Sequence, residues 1–146
     1  MEQEIGRVPA WVTVGGSYPG ALSAWFKHLY PTHAIGSWSS SGVIHAIEDF
    51  RNFDLDIYTA TQKSGDLCPA VIQSHYKFIE HAFESNDAMT EEICNIFEIP
   101  VDHLNKHDFF FYLADIYTLG VQYGMRTHLC DFLMANAGQD MMTQLQ

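Results

Sequence analysis

The chain has 146 residues, a formal net charge of −11, 47% hydrophobic residues and 17% charged residues. This length and composition predict a folded protein with a hydrophobic core and exclude an intrinsically disordered chain. With only seven lysine and arginine residues, nucleic-acid binding is not expected. No apolar run approaches the roughly 20 residues of a membrane span, and the polar start at residues 1–7 is unlike a signal peptide.

The first predicted element is a strand that ends in a glycine-flanked serine. Residues 9–14 carry β-branched and aromatic side chains and no charge, which predicts a short buried strand. Gly15 and Gly16 end this strand, and an amphipathic helix with Pro19 in its first turn follows Ser17 at once. This order is typical of a nucleophile elbow, the sharp strand-to-helix turn that exposes a catalytic serine hydroxyl.

A helix and a second strand are predicted next. Apolar residues at helical spacing form one stripe of the helix, which is expected to stop before Pro31. The stripe consists of Ala21, Leu22, Trp25, Phe26 and Leu29. Residues 34–41 predict a small, serine-rich strand closed by Gly42. Because two strands do not make a self-sufficient parallel sheet, residues 1–43 are interpreted as part of a larger α/β domain.

The remaining residues, 44–146, predict an all-helical region. Apolar side chains recur at helical spacing in about five segments. These segments are 44–58, 71–83, 90–99, 109–121 and 129–133. We expect Thr90 to cap the third helix and Gly124 to stop the fourth, and we expect a polar tail after the fifth.

Cysteines and histidines do not form a recognisable metal motif. Cys68, Cys94 and Cys130 are far apart without a Cys-x-x-Cys pair, and the eight histidines include no His-Glu-x-x-His, so neither a metal nor a cofactor is predicted. An odd number of cysteines fits either reduced thiols or a disulfide-bonded protein that has lost a partner segment. Two acid–histidine neighbours, Asp102-His103 and His107-Asp108, fall at a loop or helix start, where a structural role is favoured over catalysis.

A longer set of residues resembles the S28 serine peptidases. The set begins at the elbow and its helix and continues into the second strand and the acidic pair that follows it. It comprises residues 15–26, 30–31, 39–41 and 48–50. Cys68 and the segment 110–130, with Gly-Val-Gln-Tyr-Gly at 120–124, resemble the helical cap of this family more loosely. One departure is Pro19, where many members have glycine or alanine, although a first helical turn accommodates proline.

This resemblance implies an α/β-hydrolase domain interrupted by a helical cap, with the partial core at 1–43 and the cap at 44–146. It implies a serine exopeptidase directed to proline, either a carboxypeptidase or a dipeptidyl peptidase. Ser17 matches the nucleophile, and Tyr18 matches the residue whose backbone N–H binds the oxyanion. In this family the triad acid and histidine follow the cap, so the resemblance implies a fragment that is expected to be inactive on its own. Glu48 and Asp49 are candidate substrate-cleft residues, with a solvated helix face as the alternative.

The resemblance also implies a disulfide, partners and a location. Cys68 and Cys130 are expected to form a disulfide that cross-links the cap, and Cys94 is expected to pair with a cysteine beyond residue 146. Peptides that contain proline are the expected substrates, a homodimer of the full-length enzyme is compatible with the family, and the location is lysosomal, vesicular or secreted. The aromatic run at 109–112 is interpreted as cap core, with the lining of an apolar proline pocket as the alternative.

Two other functions stay open on the sequence alone. One is a non-catalytic product, a truncated or split hydrolase retained for binding. The other is a lipase or esterase on the same fold, because a fold does not determine its substrate.

Overall fold

The computed structural model of the chain describes residues 9–146, so the polar start at 1–7 lies outside the described residues. By its contacts the chain divides into two units, Met1–Phe50 and Arg51–Gln146. This division falls later in the sequence than the boundary expected after residue 43. Each unit is described by itself below.

The first unit contains a two-stranded parallel sheet. Strand β1 is Val12–Gly16, helix α1 is Tyr18–Leu29 and strand β2 is Gly36–Ser40. The register pairs Val12 with Gly36 at one end and Gly16 with Ser40 at the other. Parallel strands need a crossover connection, and α1 supplies it. The end of α1 before Pro31 confirms the prediction for this helix.

One face of this sheet packs against α1 and the other is open in the described part of the unit. Thr13 lies on the covered face, where its hydroxyl donates to the Ser23 carbonyl at 3.2 Å. Because side chains alternate along a strand, the neighbouring Val14 points the other way and is 72% exposed. Trp38, paired with Val14 in the register, is 69% exposed. Within the described residues the prediction of a buried strand is therefore wrong, and β1 also continues through both glycines instead of ending before them.

The predicted helix at 44–58 is wrong in its first half. Residues 41–52 form bends and turns, and helix α2 begins only at Phe53. Two residues of this segment have positive φ, Ser41 at 48° and Asp49 at 54°. The positive φ of Asp49 interrupts any right-handed helix across 44–58, so the apolar spacing did not produce a helix in that part.

The second unit is helical in all of its regular elements. They are α2 (Phe53–Gln62), α3 (Leu67–Ser85), α4 (Asp87–Ile96), a 3₁₀ turn (Val101–His103), α5 (Lys106–Gln122), α6 (Arg126–Asn136) and α7 (Met141–Leu145). The predicted helices at 71–83, 109–121 and 129–133 lie within α3, α5 and α6 and are confirmed. Gly124, with φ at 80°, follows the end of α5 as expected.

Two helix ends differ from the prediction. The side chain of Asn86, not Thr90, caps α4 by accepting from the Met89 N–H at 3.1 Å. The Thr90 hydroxyl, in the first turn of α4, instead donates to the Ala82 carbonyl in the last turn of α3 at 2.9 Å. The polar tail forms α7, because Asp140 caps it by accepting from the Thr143 N–H at 3.0 Å.

The core of the second unit lies where α3, α5 and α6 meet. Phe109 is 2% exposed, and its ring meets Phe83 and Phe97 edge-on, each at a centroid distance of 5.0 Å. Cys68 at the start of α3 and Cys130 on α6 form a disulfide with their Cα atoms 5.2 Å apart, which is the pairing expected from the family resemblance. Cys94 is a buried free thiol.

Candidate functional site

Ser17 is the single residue between β1 and α1, and its backbone is unusual. Its φ is 58° and its ψ is −127°, a conformation that costs a residue with a side chain about 1–3 kcal/mol. Two backbone hydrogen bonds hold the turn: the Ser17 N–H donates to the Ser40 carbonyl at 3.0 Å, and the Ala21 N–H donates to the Ser17 carbonyl at 3.2 Å. The sharp turn predicted from the glycine-flanked serine is present in the structure.

Two glycines allow the first turn of α1 to lie directly against the sheet. A Cβ at Gly15 would collide with the Pro19 carbonyl. A Cβ at Gly20 would lie 3.0 Å from the Ser40 carbonyl oxygen, closer than nearly all real Cβ contacts. The close approach of backbone to backbone therefore explains why glycine occupies both positions around Ser17.

The Ser17 hydroxyl is exposed and is not used to cap the helix that it precedes. A serine at this position usually accepts a hydrogen bond from one of the first helical N–H groups, but the Ser17 side chain makes no such bond. Within residues 9–146, no histidine hydrogen-bonds this hydroxyl. The turn thus exposes the Ser17 hydroxyl to solvent, although the backbone conformation of Ser17 costs free energy.

The N-terminus of α1 lies beside this hydroxyl. Tyr18 is the first residue of the helix, so its N–H has no acceptor within the helix. The aligned peptide dipoles give this end of the helix a partial positive charge. An oxygen that becomes negative next to Ser17 would meet both a hydrogen-bond donor and a favourable potential, as an oxyanion hole requires.

The predicted cleft residues Glu48 and Asp49 lie in the irregular segment 41–52 of the same unit, and both are exposed. They are not on a helix, so the alternative interpretation as a solvated helix face is wrong. Their place near a substrate cleft stays a prediction.

The two acid–histidine neighbours considered from sequence occupy structural positions. Asp102 and His103 lie on the 3₁₀ turn. Asp102 Oδ2 is 3.8 Å from His103 Nε2, and the two side chains are 82% and 75% exposed, respectively. His107 and Asp108 begin α5, where both backbone N–H groups donate to the Asn105 side chain. Neither pair has a serine nucleophile among its hydrogen-bond partners in the described chain.

A buried network in the second unit was not predicted from the sequence. His75 Nδ1 lies 2.7 Å from the Tyr117 hydroxyl, and His75 Nε2 lies 3.0 Å from Gln144 Oε1. An amide oxygen only accepts, so Nε2 donates to Gln144 and Nδ1 accepts from Tyr117. Burial lowers the pKa of His75, although the bond to Gln144 opposes this, and burial raises the pKa of Tyr117. The network links α3, α5 and α7 around a neutral imidazole.

The second unit also encloses a cavity of about 840 Å³ between α2, α3 and α5. Residues of the aromatic run at 109–112 divide between two roles. Phe109 belongs to the core, whereas Phe110 and Phe111 line the cavity. The run is therefore partly core and partly cavity wall.

In the described residues, no group of three or more histidine, cysteine, aspartate or glutamate side chains is arranged to hold a metal ion. Between residues 9 and 146, no helix has both the length and the apolar character needed to cross a bilayer.

Comparisons with known proteins agree with the resemblance seen in the sequence. The chain is 34% identical over 120 residues to a protein named probable serine protease EDA2 of Arabidopsis thaliana, covering 82% of this chain and 23% of that protein. It is 29% identical over 89 residues to the thymus-specific serine protease of Homo sapiens, covering 58% of this chain and 17% of that protein.

A third relative is the lysosomal Pro-X carboxypeptidase of Homo sapiens, with 34% identity over 71 residues, 47% of this chain and 14% of that protein. The chain thus spans less than a quarter of the length of each of these relatives. No solved structure matches the chain. The family described as Serine carboxypeptidase S28 matches residues 1–144. The chain belongs to the S28 family of serine carboxypeptidases.

Proposed function

We propose that Ser17 is the nucleophile of a serine peptidase that cleaves peptide bonds through an acyl-enzyme. One observation carries this proposal: a chain of the S28 family holds a serine at φ 58° between a strand and a helix, with its hydroxyl exposed and not used as a helix cap. Strained backbone at a non-glycine residue is characteristic of functional sites, because the surrounding structure must stabilise it.

In the proposed reaction, Ser17 Oγ attacks the carbonyl carbon of the scissile bond while its proton passes to a histidine base. The carbonyl oxygen takes up the negative charge and accepts a hydrogen bond from the Tyr18 N–H. When the intermediate collapses, the C–N bond breaks and the amine leaves with the proton from the histidine. Water then attacks the serine ester, releases the new carboxylic acid and restores the hydroxyl.

The histidine and its orienting acid are proposed to come from residues outside this 146-residue sequence. The support for this proposal is the S28 resemblance, which implies that both follow the helical cap in the order acid then histidine. A serine hydroxyl without a base is a poor nucleophile. The chain by itself is therefore proposed to be inactive, although it holds the nucleophile and one oxyanion donor.

The proposed architecture is an α/β-hydrolase core that includes residues 1–43, followed by a helical cap at 44–146. The open face of the two-stranded sheet supports the first part. Parallel sheets are normally covered on both faces, and Val14 and Trp38 leave large apolar side chains uncovered on the face opposite α1. Further secondary structure of a larger domain would bury them.

The proposed substrates are peptides with proline beside the scissile bond, cleaved by carboxypeptidase or dipeptidyl-peptidase action. The support is the family and a relative named as a Pro-X carboxypeptidase. A lysosomal or secreted location is proposed on the same ground, and the Cys68–Cys130 disulfide suits an oxidising compartment.

The experiment is product analysis by mass spectrometry with full-length protein. Peptides with proline next to the C-terminal residue and peptides with proline as the second residue are offered in parallel. Loss of the C-terminal residue identifies a carboxypeptidase, and release of an N-terminal dipeptide identifies a dipeptidyl peptidase. Ser17→Ala should lower the rate by more than about 10³-fold.

The matched control is Ser37→Ala, an exposed serine on β2, which should keep wild-type activity. Unchanged peptide cleavage by Ser17→Ala would contradict the assignment of the nucleophile. Cleavage of fatty-acyl esters with no cleavage of either peptide would instead identify a lipase or esterase and contradict the proposed substrate class.

A further inference from the structure

The cavity between α2, α3 and α5 has the size of a small-molecule site. Its volume of about 840 Å³ lies within the range of roughly 300–1,000 Å³ that is typical of ligand pockets. It lies wholly within the second unit and does not involve Ser17.

Aromatic rings form much of the cavity wall. Tyr76 on α3 stacks on Phe110 of α5 with centroids 5.9 Å apart and planes 17° apart. Phe53 and Phe111 also line the cavity and remain 44% and 72% exposed. Rings with free faces at a pocket offer both apolar contact and attraction for a cation.

The carboxylates among the cavity-lining residues have no basic counterpart of the lysine or arginine type. Asp54 on α2 and Asp115 on α5 line the cavity, and no lysine or arginine does. Neither carboxylate forms an ion pair with a basic side chain elsewhere in residues 9–146. His107 is the one histidine among the lining residues.

The charge of Asp54 acts on the interior of the cavity. Burial, followed by the negative charge of Asp54, raises the pKa of Tyr76 to about 12. The cavity therefore combines an apolar, aromatic lining with two carboxylates that form no ion pair within residues 9–146, in a chain whose net charge is −11.

We propose that this cavity binds a small organic cation, with an apolar or aromatic body against Tyr76 and Phe110 and a protonated amine paired with Asp54. Asp115 adds to the negative potential that attracts the amine. This site goes beyond the proposed peptidase reaction and is independent of it, because none of its residues belongs to the elbow.

The test is calorimetric titration of the full-length protein at pH 7 with three probes of the same ring: 1-naphthylmethylamine, 1-naphthylmethanol and 1-naphthoate. The amine is expected to bind more tightly than the neutral alcohol by about fivefold, the scale of a partly exposed ion pair. The anionic naphthoate is expected to bind more weakly than the alcohol. Equal affinities for the three probes would overturn the proposal.

Variants then distinguish the effect of the Asp54 charge on binding from the effect of the cavity's shape. Asp54→Asn should weaken binding of the amine by about fivefold and leave the alcohol unchanged. The matched control is Asp56→Asn, an exposed carboxylate on the same helix that does not line the cavity. The same loss in both variants would contradict the assigned role of Asp54.

Ala114→Phe places a ring in the cavity from α5 and should reduce binding of the amine and the alcohol by more than about tenfold. If this variant does not fold, Phe111→Ala replaces it, because that ring lines the cavity and is exposed, so its loss should weaken binding of the amine and the alcohol while sparing the fold. Undiminished binding in a folded Ala114→Phe protein, or in Phe111→Ala as its substitute, would overturn the location of the site. Since binding is measured without turnover, an inactive Ser17 would not affect this result.

Discussion

The Ser17 N–H donates to the Ser40 carbonyl at 3.0 Å, which ties the turn after β1 to the last residue of β2. This bond holds a serine with positive φ at the end of a parallel strand pair and directly before a helix. The position of the hydroxyl thus depends on both strands and on the helix, not on the local glycine motif alone.

The first prediction concerns the contact between β1 and α1. Gly15→Ala should lower the free energy of unfolding by about 1–3 kcal/mol, because the added Cβ would collide with the Pro19 carbonyl and push the helix away. Gly36→Ala on β2 is the control, since a Cβ there meets nothing within 4 Å. Denaturant unfolding measures the stability of both variants, and equal values would refute the close contact between β1 and α1.

The second prediction concerns backbone strain at the elbow. Ser17→Gly should raise the free energy of unfolding by about 1 kcal/mol, because glycine adopts a positive φ without the steric cost of a Cβ. Ser17→Ala keeps the Cβ and should show no such gain. If thermal unfolding shows that both variants have wild-type stability, the elbow is not strained.

The third prediction concerns the disulfide between Cys68 and Cys130, which are separated by 62 positions in the sequence. Replacing both cysteines by serine should lower the free energy of unfolding by about 4 kcal/mol, because the cross-link restricts the unfolded chain.

Alkylation of the unfolded protein without reductant, read by mass spectrometry, provides the direct check. In the 146-residue chain, Cys94, whose thiol is free in the structure, should be the one cysteine that reacts. Modification of Cys68 and Cys130 under these conditions would show that the pair is not formed.

The fourth prediction is a loss of stability in acid that comes from His75. Burial lowers its pKa below the ordinary value of 6.5, so below pH 6.5 the unfolded chain binds a proton that the folded chain does not. The contribution of neutral His75 to the free energy of unfolding is therefore fully present above pH 6.5. It decreases as the pH falls below 6.5, by at most about 1.4 kcal/mol per pH unit.

Unfolding free energies between pH 5 and 8 measure this effect. His75→Gln should flatten the curve in that range, since the titrating group is gone. His128→Gln, which removes an exposed histidine of α6, should leave the slope unchanged. Identical slopes for wild type and His75→Gln would mean that the acid sensitivity has another origin.

Much of the elbow could be predicted from the sequence because its determinants are local. A β-branched run, two glycines and Pro19 in a first helical turn specify a strand, a tight turn and a helix within a few residues. The helix predicted at 44–58 was wrong in its first half because apolar spacing alone does not reveal the positive φ of Asp49.

The contacts that the sequence did not predict are distant along the chain. His75, Tyr117 and Gln144 come from three different helices, and their hydrogen bonds depend on how those helices pack. The cavity depends in the same way on the arrangement of α2, α3 and α5. Periodicity places side chains on helix faces but does not say which faces meet.

The most direct test of the central claim is labelling of the full-length protein with a fluorophosphonate probe, which reacts with activated serine nucleophiles. We expect labelling of the wild type at Ser17, complete loss in Ser17→Ala and unchanged labelling in Ser37→Ala. Absence of labelling in folded wild-type protein, or labelling that persists in Ser17→Ala, would contradict the assignment of Ser17 as the nucleophile.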